Sequence, residues 1–346
     1  MLLAALAAVA GCVAVSLTWA TLPVAGAAEK TAESSDRKEA DADAIFYRHI
    51  VERVHAGEDY YDAVAAEFRQ WNYQPTSLFN WRTPVYAWLL GKAPDPIGGR
   101  ALLILLALAV VALAYAVVER DLDKRYAPLL VLLIGPLAWC VLGEVYLFTE
   151  LWAGVLVALS VCCYALGRWP LGLLAGLAAL FFRELALPYC LLALGIAGWQ
   201  RRRNEVIGWL AGLALYGAFL WFHADQVARH TAGVPPVAAG GWVRFGGLPF
   251  VIGTTQMNVL LIFAPAWLAA AALPLALLGL AGWRGETGLR ISLTVAGYLA
   301  AFAVIGMPNN AYWGLLVTPL LALGWAALPV ALRDLARAIS QPKQIG

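Results

Sequence analysis

Charge is scarce in this chain. Asp, Glu, Lys and Arg make up 13% of its 346 residues, whereas 62% are hydrophobic. Soluble domains carry about a quarter charged residues, so this composition excludes an ordinary soluble globule. The formal net charge is only +2, and no basic patch marks a nucleic-acid partner. The five cysteines (Cys12, Cys140, Cys162, Cys163 and Cys190) all fall in apolar stretches, which excludes a disulfide framework and a zinc-finger spacing. The four histidines, His49, His55, His223 and His230, do not recur at ligand spacing and read as surface residues.

Lys and Arg are also missing ahead of the first apolar run. Ala25-Gly26-Ala27 resembles a signal-peptidase site, and Val9-Ala10-Gly11-Cys12 a lipoprotein site. The uncharged start and a run long enough to span a bilayer favour a retained helix instead.

Apolar runs and tryptophan are abundant. Many of the 15 tryptophans, among them Trp139, Trp169, Trp199, Trp221, Trp283 and Trp313, stand at the ends of apolar runs, as in an interfacial aromatic belt. The runs predict an all-α integral membrane protein with about ten transmembrane helices. They are Leu2–Pro23, Ile97–Val118, Pro128–Gly143, Leu151–Leu166, Leu171–Phe182, Leu185–Trp199, Val206–Phe222, Val259–Leu280, Ile291–Ile305 and Trp313–Leu332. No linker divides them, so residues 1–346 read as one transmembrane domain. Within it lie a long outer loop over 28–96 and a second, flexible one over 223–258.

Short basic loops set the orientation. Arg120, Lys124 and Arg125 share one loop, and Arg201, Arg202 and Arg203 another. Arg168, Arg284, Arg290, Arg333, Arg337 and Lys343 fall on the same side if the helices alternate. That side is expected to be cytoplasmic, with both termini inside and the first long loop outside. The setting expected is the cell's inner membrane.

The first outer loop is patterned. Phe46, Ile50 and Val54 repeat at helical spacing, joined by Tyr47 and Val51, and Gly57 suits a helix stop. Asp59 suits the cap of a second helix whose Tyr61, Val64, Ala65 and Phe68 form one apolar face. Thr83-Pro84 reads as the N-cap and first-turn proline of a short third helix. Such helices lie in the membrane interface, apolar face down. In the second outer loop, paired glycines bracket Arg244 in Gly240-Gly241-Trp242-Val243-Arg244-Phe245-Gly246-Gly247. That stretch reads either as a lid over a ligand or as a plain flexible connector.

Several short motifs resemble the GT-C superfamily of membrane glycosyltransferases, most closely its polyprenyl-phosphate-mannose-dependent branch. Asp43-Ala44-Ile45-Phe46-Tyr47 followed by Gly57-Glu58-Asp59-Tyr60-Tyr61 is similar to the branch's Asp, Tyr, Gly, Tyr order. Gly143-Glu144-Val145-Tyr146 stands where the family often has Gly-Gln-Val-Asn. Arg183-Glu184 resembles its basic residue near the donor phosphate. Asn309-Asn310-Ala311-Tyr312 occupies the last outer turn, where relatives often carry Arg-Tyr. Glu144 in place of an amide, and the lack of Arg beside Tyr312, depart from the pattern and bear on donor or acceptor choice.

The resemblance implies transfer of a sugar, mannose as the best single guess, from a polyprenyl-phosphate donor. The acceptor is a glycan, glycolipid or other lipid-linked hydroxyl on the outer face. It also implies inversion at the anomeric carbon, with Asp43 as base. Glu144, Tyr47, Tyr146, Glu184, Asn310 and Tyr312 are then the substrate-binding candidates.

The chemistry of the residues stands beside this. Transfer needs a base for the acceptor hydroxyl and a cation for the departing phosphate. Asp43 and Asp41 are candidates for the first role; the pair reads equally as a solvated helix cap. Arg183, Arg82 and Arg244 are candidates for the second, since guanidinium matches phosphate oxygens. Arg183-Glu184 also reads as a local ion pair, and Glu144 and Glu150 as simple marks of the interface. A divalent cation between Asp41 and Asp43 is a further possibility; no other cofactor is implied. The competing functional reading is a transporter or lipid flippase, which would place ionisable residues near the midplane. The charges here fall mostly at span ends. A non-catalytic membrane scaffold is the third reading; it leaves the patterned acidic loop without a role.

Overall fold

The computed structural model of the chain describes residues 43–73, 77–93, 96–233 and 245–340. Among them every regular element is helical. Two helices stand first in the long loop: α1 over 43–55 and α2 over Tyr60–Gln70. A short 3-10 turn, Leu78–Trp81, leads to α3 over Val85–Gly91. The bundle follows: α4 Pro96–Asp121, α5 Thr149–Ala165, α6 Trp169–Phe182, α7 Leu187–Trp199 and α8 Arg203–His230. It is completed by α9 Gly247–Thr255, α10 Ala266–Gly282, α11 Gly285–Val304 and α12 Thr318–Ser340.

Among the described residues, four stretches are long and apolar enough to cross a membrane: Gly98–Asp121, Arg203–His230, Gly285–Val304 and Thr318–Ser340. The shorter α5, α6, α7 and α10 are apolar as well. In α4 only a third of the most apolar window is buried. Leu102, Leu105, Leu108, Val111 and Tyr115 point outward from it. A helix apolar all round yet half uncovered is suited to lipid rather than water.

The core is built around α5, where all but Leu159 and Ala165 are buried. Trp152 stacks on Phe182 of α6, ring centroids 4.9 Å apart and planes 5° apart. The α10 and α12 helices approach closely because small residues meet: a Cβ on Gly279 would run into the Gly324 carbonyl.

The loop helices match their pattern. Helix α1 buries Phe46, Tyr47, Ile50 and Val51, and α2 buries Tyr61, Val64, Ala65 and Phe68. Gly57 takes the left-handed turn between them at φ 95°. The Asp59 carboxylate caps α2 by accepting from the Tyr61 N–H.

Some boundaries differ from the sequence reading, and proline or tertiary contact is the cause. The predicted span Pro128–Gly143 is instead a 3-10 stretch, Lys124–Leu133, followed by the short turns Ile134–Leu137 and Ala138–Cys140. Pro128 and Pro136 each remove a backbone donor and so disfavour a regular α-helix, although α10 and α12 run through Pro274 and Pro329. The span predicted from Val259 starts at Ala266, behind Pro265. The span predicted from Trp313 is a 3-10 stretch, Pro308–Leu316, until α12 begins at Thr318. Helix α8 runs past the predicted Phe222 to His230, so the second long loop starts as helix. Its polar end is held by α2: the Tyr61 hydroxyl is 3.0 Å from His223 Nδ1, and His230 Nε2 is 3.2 Å from Asp62. His223, expected at the surface, is therefore buried. Thr83 does not cap α3; its hydroxyl turns to α6, as described below. The first predicted span, Leu2–Pro23, lies outside the described residues.

Candidate functional site

The site forms where the loop helices meet one end of the bundle. Ser77 caps the 3-10 turn Leu78–Trp81, and the chain then swings through Arg82 at φ 50°, ψ 161°. A non-glycine residue there carries backbone strain of order 1–3 kcal/mol, sustained only by its surroundings. Those surroundings are present on both sides of the residue. The Tyr60 hydroxyl donates to the carbonyls of Trp81 and Arg82. The Thr83 hydroxyl lies 2.7 Å from the Phe181 carbonyl and 3.0 Å from that of Phe182. Thr83 thereby ties the turn to the end of α6, whose next residue is Arg183.

Both arginines converge on Glu150 in the first turn of α5. Arg82 Nη1 donates to Glu150 Oε1 at 2.7 Å, and Arg183 Nε lies 2.8 Å from the same oxygen. Arg183 Nη1 is 2.6 Å from Glu184 Oε1. Arg82 spreads its remaining donors over two phenols, Nε to Tyr47 at 2.9 Å and Nη2 to Tyr312 at 3.1 Å. Its guanidinium also sits 5.5 and 5.9 Å from those ring centroids, within cation–π range. Glu150 is wholly buried, and Arg82 and Arg183 are 7% and 5% exposed. Ions so deeply buried are tolerated only when paired; Arg82 is also hydrogen-bonded to Glu150, whereas Arg183 Nε and Nη1 are held by charge alone and make no hydrogen bond among the described residues.

The phenols are neutral at ordinary pH. Burial pushes Tyr47 well above the usual tyrosine range; Arg82 pulls the other way and Asp43 adds to the rise. Burial raises Tyr312 too, against Arg82, and the Asp43 charge reaches it as well. Asp43 thus stands at the same end of the bundle, half-buried at the start of α1. Burial alone would lower the Arg82 pKa, but Glu150, Tyr47, Tyr312 and Glu184 together outweigh it and keep the guanidinium charged.

Seven side chains therefore come together: Asp43, Tyr47, Arg82, Glu150, Arg183, Glu184 and Tyr312. Glu144 lies beside them, 2.7 Å from Arg48 Nε of α1 in a half-exposed pair. Tyr146 is stacked under Arg100, 4.8 Å from its guanidinium carbon. Asn310 is buried two residues before Tyr312, and its Nδ2 has no hydrogen-bond partner among the described residues. Asp41, Arg244 and the glycine-flanked stretch 240–244 lie outside the described residues. Among those residues no group of three His, Cys, Asp or Glu side chains converges as a metal set.

The local ion pair of Arg183 with Glu184 exists, but Arg183 also reaches Glu150. Glu150 is the residue that sequence reasoning undervalued. It is not a mark of the interface but the acid that holds two arginines. The available signal was an acid bordering an apolar run, which needs a cationic partner.

Compared with protein-family models, with curated proteins and with solved structures, the chain matches none.

Proposed function

We propose that this chain is an integral-membrane glycosyltransferase of the GT-C type. It moves a sugar from a polyprenyl-phosphate donor to a glycan or lipid-linked acceptor, with mannose as the sugar that the family resemblance favours. The observation that carries the proposal is the pair of buried guanidiniums, Arg82 and Arg183, held on one oxygen of Glu150. They stand at the end of the bundle where Asp43 begins α1. The proposal includes about ten membrane spans, cytoplasmic termini and an active site on the outer face of the inner membrane, as the basic loops imply.

In the reaction, an acceptor hydroxyl oxygen bonds to the anomeric carbon as the bond from that carbon to the donor phosphate oxygen breaks. Asp43 takes the hydroxyl proton. Polyprenyl phosphate leaves with the electron pair, and its growing charge is met by Arg82 and Arg183. Because Glu150 has already fixed both cations, no reorganisation is needed when that charge develops. Glu184, more exposed than Glu150, is the carboxylate that can yield its place on Arg183 to a phosphate. The neutral Tyr47 and Tyr312 steer Arg82, and Asn310 offers an uncommitted amide to the sugar. Arg244 is a third candidate for the donor phosphate, Glu144 and Tyr146 belong to the wider substrate-binding set, and a divalent cation at Asp41 and Asp43 is tested below.

A lipid transporter would also use a buried arginine pair, so the assay must separate transfer from movement. Purified protein in proteoliposomes is given polyprenyl-phosphate mannose and a membrane-lipid acceptor extract. Formation of a new glycoside, lost in Asp43→Asn, is the expected result. Movement of the donor lipid across the bilayer with no new glycoside would favour the transporter instead. Inhibition by chelator would add the cation.

A further inference from the structure

A second polar centre lies at the other end of α5, about 22 Å from Glu150 at 1.5 Å per helical residue. There the ends of α4, α5 and α12 meet the beginnings of α8 and α11. Arg120 donates to the Ala165 carbonyl, and Arg202 Nη2 to Glu286 at 2.7 Å. Between these elements is a cavity of about 270 Å³, lined by Arg120, Tyr164, Arg284, Glu286, Thr287 and Arg290 among others.

Arg290 is the unusual member. It is 2% exposed, and its guanidinium carbon lies 3.8 Å from the Tyr164 ring centroid. Yet among the described residues neither Nη1 nor Nη2 makes a hydrogen bond, and neither do the two oxygens of buried Glu205. The nearest carboxylate oxygens, on Glu286 and Glu205, stand 3.7 and 3.9 Å from Nη2, too far for hydrogen bonds. Glu286 is committed to Arg202 instead. A buried guanidinium with idle donors costs stability unless something supplies acceptors.

Two further observations converge on the same space. Helix α11, 20 residues long, begins here, and no side chain caps its first turn. Its free N–H groups and dipole favour an anion. The ion pairs around the cavity also leave a positive excess. Among the lining residues, Arg120, Arg284 and Arg290 stand against Asp121 and Glu286, three cations against two anions.

We infer that this cavity binds a phosphate group, carried either by a lipid headgroup or by a soluble phosphoester. A phosphate has enough acceptor oxygens for the Arg290 fork, Arg284 and the helix end at once, whereas a carboxylate has two; Arg120, whose donors are taken by Asp121, Ala165 and Thr287, adds its charge. None of these residues belongs to the Arg82–Glu150–Arg183 cluster, so the inference stands whether or not the chain is a transferase.

The test uses the full-length protein in detergent with two probes. Inorganic phosphate is titrated against thermal stability, and phosphatidylglycerol retention is read by native mass spectrometry against phosphatidylcholine. Arg284 is 85% exposed, so Arg284→Ala leaves the fold intact. It should weaken binding of the effective probe roughly tenfold, and Arg120→Ala should act in the same direction. Arg229→Ala, an exposed change at the opposite end of α8, should have no effect. A response to inorganic phosphate assigns a soluble ligand; selective retention of phosphatidylglycerol alone assigns a headgroup. No saturable binding of either probe would overturn the inference. So would binding indifferent to Arg284→Ala, which would belong to Arg82 and Arg183.

Discussion

Arg82 and Glu150 are 68 positions apart in the chain and 2.7 Å apart in space. That contact joins the long loop that precedes the bundle to its most buried helix. Because Arg183 reaches the same carboxylate oxygen, a single side chain sets the spacing of the two cations on which the proposed chemistry depends.

Removing Glu150 should therefore be costly. Glu150→Ala leaves two buried arginines short of their anion and should destabilise the protein by about 3–5 kcal/mol. Glu144→Ala breaks only a half-exposed pair with Arg48 and should cost about 1 kcal/mol or less. Denaturant unfolding in detergent compares the two. Equal stability of Glu150→Ala and parent would mean that the arginines find other partners.

Asp43→Asn keeps the size of the side chain and most of its capping ability. The variant should fold normally while transfer falls at least roughly 100-fold, the low end for a general base. Near-normal transfer by a well-folded Asp43→Asn protein would move the base role to Asp41 or Glu144.

Arg183→Ala should weaken donor use more than Arg183→Lys, because only the first removes the charge. The structure adds a control. Glu150 keeps Arg82 in the Ala variant, so stability should fall less than in Glu150→Ala. Unchanged donor binding and turnover in Arg183→Ala would shift the phosphate role to Arg82 or Arg244.

High pH should destabilise the protein through its buried phenols. Burial raises Tyr47, Tyr60, Tyr61, Tyr86 and Tyr312 above the ordinary tyrosine value. Below about pH 10 both folded and unfolded phenols are protonated, and this contribution is fully present. Above it the unfolded chain loses protons that the folded chain retains, so stability declines as pH rises. Melting temperature measured from pH 8 to 11, with phenolate absorbance followed in parallel, checks this. Full phenolate signal from a still-folded protein would contradict the burial of these rings.

The two ends of the bundle should face opposite sides of the membrane. Ala56 follows α1 and Asn204 stands in the first turn of α8, and both are exposed. Cysteines introduced at these positions should label from outside and inside, respectively. Labelling of both from outside would reverse the orientation read from the basic loops and remove the outer-face transferase.

Much of the helical layout was legible without coordinates, because it depends on local pattern. Apolar runs marked α4 through α8, and the spacing of Phe46, Ile50 and Val54 marked α1. Asp59 and Gly57 act at α2 and its preceding turn as their residue types suggest. The interruption of the Pro128–Gly143 run was present in its two prolines, but an apolar-run criterion passes over backbone donors that are missing.

The centre of the candidate site was another matter. Arg82, Arg183 and Tyr312 could each be named from charge or resemblance, and Glu150 stood in plain sight at the edge of an apolar run. Nothing local distinguishes an acid that meets water or headgroups from one that meets two guanidiniums. That difference depends on α5 packing beside the end of α6 and on Thr83 anchoring the loop to the same helix end. Helicity and apolarity are set by neighbours along the chain, so both can be read from the order of residues. Which charges neutralise one another depends on how distant segments pack. A buried ion must find its partner in space, and these partners come from segments tens to hundreds of residues apart.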